Sequence, residues 1–444
     1  MSDESVLPFL SEFDPPLRAE GSLDPLGLYS IADALGVRLA SGVRERQWKP
    51  RFLTLALVGM AACDDELVAM GERKGLHAWL VYEWLVVTSL VREWAGKPEL
   101  QGIPGRDKVH ATLLANDVVC QRTYLKTPSV FGFHGVYRVL GLKAGLFNAD
   151  GRPLEPGFRV LQAWQRDQGQ GGFVSSEGAG RDFRQLIAAE VRRGIEAGHL
   201  REAGPKLRGL IAAHLSPHSA GPTEATTLWQ MILENDPLRA EYAKHLISPE
   251  GQAAWHAAEG FERPFHDWLL GAASPVMLQL VEAIQAFEKL ARSLTDAFEE
   301  SLWRMTEARG PLTVGDLAAG DAIKEAARDG ASLLSAALVE LGEIDPGLRM
   351  RTERAFSWIG ESVMPTTFVA NLMQHHVRIQ KAKPPGGKRP WFDTFGDSRY
   401  AVRAGYVRDS FEPKPGVYVH QYRARPLWSF ARELGYVKSE DQAT

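Results

Sequence analysis

The sequence predicts a mainly α, multidomain protein with a winged-helix-like unit and a small, basic α+β module toward its C-terminal end. Three observations point there. Apolar residues recur at helical spacing through most of the chain. The stretch LGLKAGLFNADGRPLEPGFRVLQAW, Leu140 to Trp164, sets an Asp-Gly turn between two helical segments. Positive charge gathers beyond Arg349, where a proline-glycine break is followed by short alternating runs.

In chain order, residues 1–20 are rich in Pro, Asp and Glu and read as a flexible tail. A helical N-terminal domain spans 21–100. It opens at Asp24-Pro25, runs amphipathically through Ile31, Leu35 and Leu39, breaks at Ser41-Gly42, resumes at Phe52 and includes an apolar helix over 77–95. That helix carries Glu83 at its middle, and its apolar run is shorter than the ~20 residues of a membrane span. It is therefore read as buried, with Trp79, Trp84 and Trp94 as core residues rather than a ligand cage.

The winged-helix-like domain, 104–165, follows the Pro104-Gly105 break. It holds a helix over 109–124, a second helix from Ser129, a hairpin turning at Asn148 to Gly151, and a return helix. A Gly/Ser-rich linker or loop, 166–182, leads to a helical domain, 183–345. Helices are expected there near 183–196, 206–214, 225–233 and 238–247. A long amphipathic helix then runs through Ile284, Phe287, Ala291, Leu294 and Phe298, and another covers DAIKEAARDGASLLSAALVEL. The basic module, 346–444, has helices on either side of Pro365, a hairpin around Gly396-Asp397, a strand near GVYVHQYRA and a helix from Pro426 to Leu434.

Composition narrows the function. With 444 residues and 45% hydrophobic content the chain can build several cores. Cys63 and Cys120 stand apart from each other and from any metal-binding spacing, so no disulfide framework, zinc site or cofactor is expected. The acidic, proline-broken start, MSDESVLPFLSEFDPP, does not resemble a signal peptide, and a reducing cytoplasm without a membrane partner fits. The formal net charge of -4 conceals an asymmetry: from Arg349 to Lys438 there are 16 Lys and Arg against 7 Asp and Glu, leaving 35 against 48 elsewhere. A basic end on an acidic body suits a polyanion such as DNA or RNA.

Catalytic signatures are absent. PPGGKRP lacks the spacing and hydroxyl residue of a P-loop, and no dinucleotide-binding glycine pattern, His-Glu-x-x-His, nucleophile elbow or kinase signature occurs. No catalytic residue and no metal ligand is assigned. The alternative is a metal-dependent nuclease using His375 or His376 with Asp393 or Asp397. Against it, adjacent helical residues point about 100° apart, and a metal site wants more carboxylates close by.

The stronger signal is a cluster of cations among aromatics: Lys381, Lys383, Lys388, Arg389, Arg399, Arg403, Arg423 and Arg425 with Trp391 and Tyr400. Such cations neutralise phosphates while aromatic faces stack on exposed bases. A positive face docking on an acidic protein stays open as the other reading. In the winged-helix-like unit, Arg122, His134, Arg138, Lys143 and Arg152 are the groups that could touch nucleic acid, although such folds also serve as protein-docking units.

Two segments carry a resemblance. LDPLGLYSIADALGVRLASGVRERQWKPRFLTLALVG has an Asp-x-Leu-Gly start and an Arg-x-Arg helix entry. The distal FVANLMQHHVRIQKAKPPGGKRPWF and VHQYRARPLWSFARELG hold His376, Gln380 and Lys381, then His420, Tyr422 and Arg423. Together, over about a third of the chain, they resemble the two ends of large, poorly characterised bacterial proteins encoded in antiphage defence islands. In that family the lysine stands one residue further from the glutamine. The resemblance implies an adaptor, itself without catalysis, that partners a helicase or nuclease subunit.

Overall fold

The computed structural model describes residues 24–437 except 176, 219, 309, 361–363, 385 and 397, so the expected tail lies outside the described residues. Among the described residues, twenty α-helices and one three-stranded sheet make the protein mainly α. Among the described residues no helix is long and apolar enough to cross a membrane.

Local chemistry explains where many helices begin. Prolines 205, 222, 237, 249, 275, 346 and 365 each stand at the first helical positions, where the missing N–H has no partner to lose. Several follow a capping oxygen: Asp236 accepts from the Arg239 N–H, Ser248 from Gly251, Ser274 from Met277, and Asp345 from Gly347 and Leu348.

The chain forms two compact units. The first takes the described residues through Leu35 together with His266–Tyr422, and the second takes Gly36–Phe265 and the described residues from Arg423 onward. This grouping differs from the serial order of segments expected from composition, because the last helix of the basic segment packs with the central part of the chain.

In the first unit the helix Pro275–Glu307 packs along the helix Asp321–Ile344. Its apolar stripe, Ile284, Phe287, Ala291, Leu294 and Phe298, is buried as the spacing predicts. The sheet has the order β1 (Leu312–Thr313), β3 (Arg399–Val402), β2 (Phe392–Phe395), all antiparallel. Thr394 lies opposite Tyr400 and Phe395 opposite Arg399, which is the expected hairpin, although Asp397 at its turn lies outside the described residues.

The strand expected near GVYVHQYRA does not form. Its donors go elsewhere: the Glu288 carboxylate, buried on the long helix, accepts the N–H groups of Val419 and His420, the His420 Nδ1–H at 2.7 Å and the Tyr422 hydroxyl at 2.7 Å. A ladder partner is replaced by one side chain that satisfies four donors.

In the second unit, helices Phe52–Ala62 and Ala78–Glu93 match the expected apolar pair, and a further helix, Asp65–Lys74, is capped by Asp64 accepting from Leu67 N–H. The helix expected over 109–124 is only Arg106–Leu114. Asn116 then turns through a left-handed conformation (φ 54°), and Val119 pairs with Leu200. The Gly/Ser-rich segment is no free linker, since Phe173 is fully buried with ring centroids 4.8 Å from Trp164 and 6.1 Å from Phe183. One aromatic anchor outweighs the local composition.

Glu83 is a fully buried acid of this unit. Its carboxylate accepts the Tyr124 hydroxyl at 2.8 Å and the His134 backbone N–H at 2.9 Å, and Gly132 lies so near that a Cβ there would stand 2.0 Å from Oε1. Burial raises its pKa from 4.5 to about 7, against the opposing pull of those two bonds. A carboxyl raised in this way stabilises the fold below its unfolded pKa, and the contribution is lost as pH rises through about 7. The stability difference between wild type and Glu83→Gln, read from urea unfolding at a series of pH values, therefore declines between about pH 4.5 and 7 by on the order of 3 kcal/mol. A difference that is flat across that range contradicts the assignment.

Candidate nucleic-acid interface

The helix Pro365–Lys381 organises the basic segment of the first unit. Its buried face holds Phe368, Val369, Leu372, Met373, His375, His376 and Gln380. The adjacent histidines do point apart, and each finds its own partners. His375 donates Nε2–H to the Leu26 carbonyl at 2.8 Å and accepts from Arg378 Nη2 at 2.9 Å, beside Phe356 and Trp358. His376 donates Nδ1–H to the Pro25 carbonyl at 2.9 Å and accepts the Trp391 N–H at 3.0 Å, against Phe298 and Phe392.

Burial depresses both imidazoles to about 4, and the bonding pattern fixes each as a neutral tautomer with both nitrogens engaged. Neither ring has a nitrogen left for a metal or a water. Asp393 is exposed, 4.0 Å from Arg403, and Asp397 lies outside the described residues. Among the described residues no group of three or more His, Cys, Asp or Glu is placed to hold a metal ion.

The segment around Asp24–Gly27 meets the end of this helix here. Besides the histidine bonds, Gln380 Nε2 donates to the Pro25 carbonyl at 3.4 Å and Lys383 Nζ donates to the Asp24 carbonyl. Gly27, at φ +75°, leaves room for Ile379, whose Cδ1 would stand 2.8 Å from an added Cβ.

The expected phosphate and base contacts separate into two groups. Lys381, Arg389 and Arg399 are exposed, and Lys388 and Arg403 are half-buried. Lys383 is drawn inward, with partial burial lowering its pKa. Three of the expected contacts need correcting. Trp391 and Tyr400 are each only 7% exposed: Trp391 stacks on Tyr406 (centroids 4.7 Å apart, 6° between planes) and Tyr400 meets the edge of Phe392, so neither offers a face to a base. Arg423, which belongs to the second unit, is 1% exposed and donates to Glu45 at 3.0 Å, so it is withdrawn from phosphate.

The segment expected to form a winged helix is also partly inward. Helices Phe133–Lys143 and Glu155–Asp167 flank the turn, but the hairpin between them shrinks to one bridge, Phe147 opposite Pro153. Arg122 pairs with Asp117 at 3.0 Å, Arg152 with Asp65 at 3.2 Å, and Arg138 donates to the Ala149 carbonyl at 2.9 Å. Lys143 is exposed. His134 stacks on Trp79 at 4.6 Å, and burial lowers its pKa to about 4.

The aromatic and cationic surface lies instead in an open trough of the second unit, of about 310 Å³, lined by Trp48, Trp255, Trp428, Arg425 and Arg432 among others. Trp48 is 43% exposed. Ser429 Oγ donates to the Trp48 carbonyl at 2.7 Å, and Lys49 pairs with Glu433 at 3.4 Å, which ties the Trp48 segment to the helix Ala424–Glu433. Arg425 Nε donates to the Gly260 carbonyl at 3.1 Å, fixing one edge of its guanidinium.

Sequence reasoning named Arg425 but missed Trp48, Trp428 and Arg432. A signal for two of them was present: Arg425, Trp428 and Arg432 follow 3 and 4 residues apart, one stripe of an amphipathic helix whose other side buries Leu427, Phe430 and Ala431. No family model, curated protein or solved structure matches the chain.

Because the His376 imidazole satisfies two buried backbone groups, His376→Ala should lower the unfolding free energy by about 2–4 kcal/mol in urea denaturation. A stability unchanged within error would show that the ring does not hold the Pro25 segment.

Proposed function

We propose that the protein is a cytoplasmic nucleic-acid-binding accessory subunit without catalysis of its own, serving a partner enzyme in a bacterial antiphage defence or DNA-processing complex. The observation that carries this reading is the trough that sets Trp48 and Trp428 beside Arg425 and Arg432. Indole faces stack on bases of any identity, and guanidinium groups pair with phosphate, so the arrangement favours single strands and tolerates sequence. The exposed Lys381, Arg389 and Arg399 of the first unit add a second basic surface.

In this reading the segment 104–165 is a winged helix with a contracted wing, suited to protein docking because Arg122, Arg138 and Arg152 already have partners. The resemblance to defence-island proteins supplies the biological setting and the class of partner, a helicase or nuclease subunit.

Labelled single- and double-stranded DNA, titrated across a salt series in EDTA, test the proposal. Single strands should bind with a salt slope that falls by roughly 1.4 in Arg425→Ala/Arg432→Ala, at about 0.7 per phosphate contact. Trp48→Ala should cost about 1–3 kcal/mol of affinity. Absence of binding at low salt refutes the reading. DNA cleavage that requires Mg²⁺ or Mn²⁺ and is abolished in Asp393→Asn would favour the nuclease alternative.

A further inference from the structure

The second unit contains another cavity, of about 290 Å³, near the lower end of the range for small-molecule pockets. Its walls come from helices Phe52–Ala62, Asp65–Lys74, Ala78–Glu93 and Phe133–Lys143 and from the contracted wing. Tyr82 seats against the first of these helices because residue 59 is glycine; a Cβ there would lie 2.4 Å from the Tyr82 ring. The tyrosine hydroxyl is spent on the Leu55 carbonyl at 2.9 Å, so Tyr82 contributes ring surface rather than a hydrogen bond.

The polar equipment is distinctive. Three rings lie nearly parallel, with Trp79 4.6 Å from His134 at 15° and 5.9 Å from His77 at 16°. The backbone N–H of His134 is fixed on Glu83, which sets the position of its ring. Among the described residues no protein group hydrogen-bonds the ring nitrogens of His77 or His134, and both rings line the cavity. A neutral imidazole offers one donor and one acceptor. At the rim stand the carboxylates of Glu72 and Asp150, while the Arg138 guanidinium there is held by the Ala149 carbonyl.

Flat aromatic walls call for a flat ligand, the imidazoles for ring donors and acceptors, and the carboxylate rim for an exocyclic amine and against a phosphate. We infer that this cavity binds the base of an amino-bearing nucleoside, such as adenosine, guanosine or cytidine, as a free molecule rather than as part of a strand. The site is separate from the trough, and the inference does not rest on the nucleic-acid reading.

The test is isothermal titration of the full chain with adenosine, guanosine, cytidine, uridine and adenosine monophosphate, and with a short single-stranded oligonucleotide in competition. At least one amino-bearing nucleoside should bind at one per chain, more tightly than uridine, and adenosine more tightly than its monophosphate. His134→Ala should weaken that binding about tenfold. Glu72→Gln, an exposed change that spares the fold, should erase the preference over uridine. The oligonucleotide should not displace the nucleoside. Four results would each overturn the inference: no saturable nucleoside binding, binding unchanged in both variants, a monophosphate tighter than adenosine, or competitive displacement by the strand.

Discussion

Two adjacent imidazoles hold the beginning of the described chain to a helix some 350 positions later, and the first unit is built on that clasp. His375 and His376 reach the carbonyls of Leu26 and Pro25, sequence separations of 349 and 351. Closing a loop of that size carries an entropic cost that grows only slowly with length, so a few well-buried bonds can offset it. The requirement is that every polar atom be satisfied once water is excluded, and here each ring uses one nitrogen as donor and the other as acceptor. Chemistry that looks catalytic in a linear sequence is thereby consumed in holding the chain together.

The same logic sorts the charges of the basic segment. Arg423 and Lys383 spend their donors on Glu45 and the Asp24 carbonyl, and Glu288 gathers four donors from the segment 419–422. These groups are worth more to the fold than to a ligand, since a buried donor left unpaired is costly. Lys381, Arg389 and Arg399 of the first unit stay at the surface, as does Arg432 of the second.

Much of the helical architecture was legible in the sequence because it rests on local rules. The stripe Ile284 to Phe298 is buried, Ser274-Pro275 and Asp345-Pro346 start helices, and the hairpin near Gly396 forms. The failures share a cause, which is that a distant partner overrides local pattern. Val419 and His420 leave the ladder for Glu288, Phe173 fixes a glycine-rich turn by packing on Trp164 and Phe183, and the helix after Val109 ends so that Val119 can pair with Leu200. The candidate site was legible only in part. Charge asymmetry pointed to the segment that holds Arg425 and Arg432, yet Trp391 and Tyr400 are buried, and Trp48, nearly 400 residues before Trp428, could not be paired with it by spacing.

Under the proposed function, an indole-and-guanidinium trough, rather than the sheet of the basic segment, meets the bases of a nucleic acid. The most direct measurement is photocrosslinking of a single strand carrying 5-bromodeoxyuridine, followed by mapping of the modified peptides. Crosslinks are expected on the peptides that contain Trp48 and Trp428. Crosslinks confined to the Trp391 and Tyr400 peptides would contradict it.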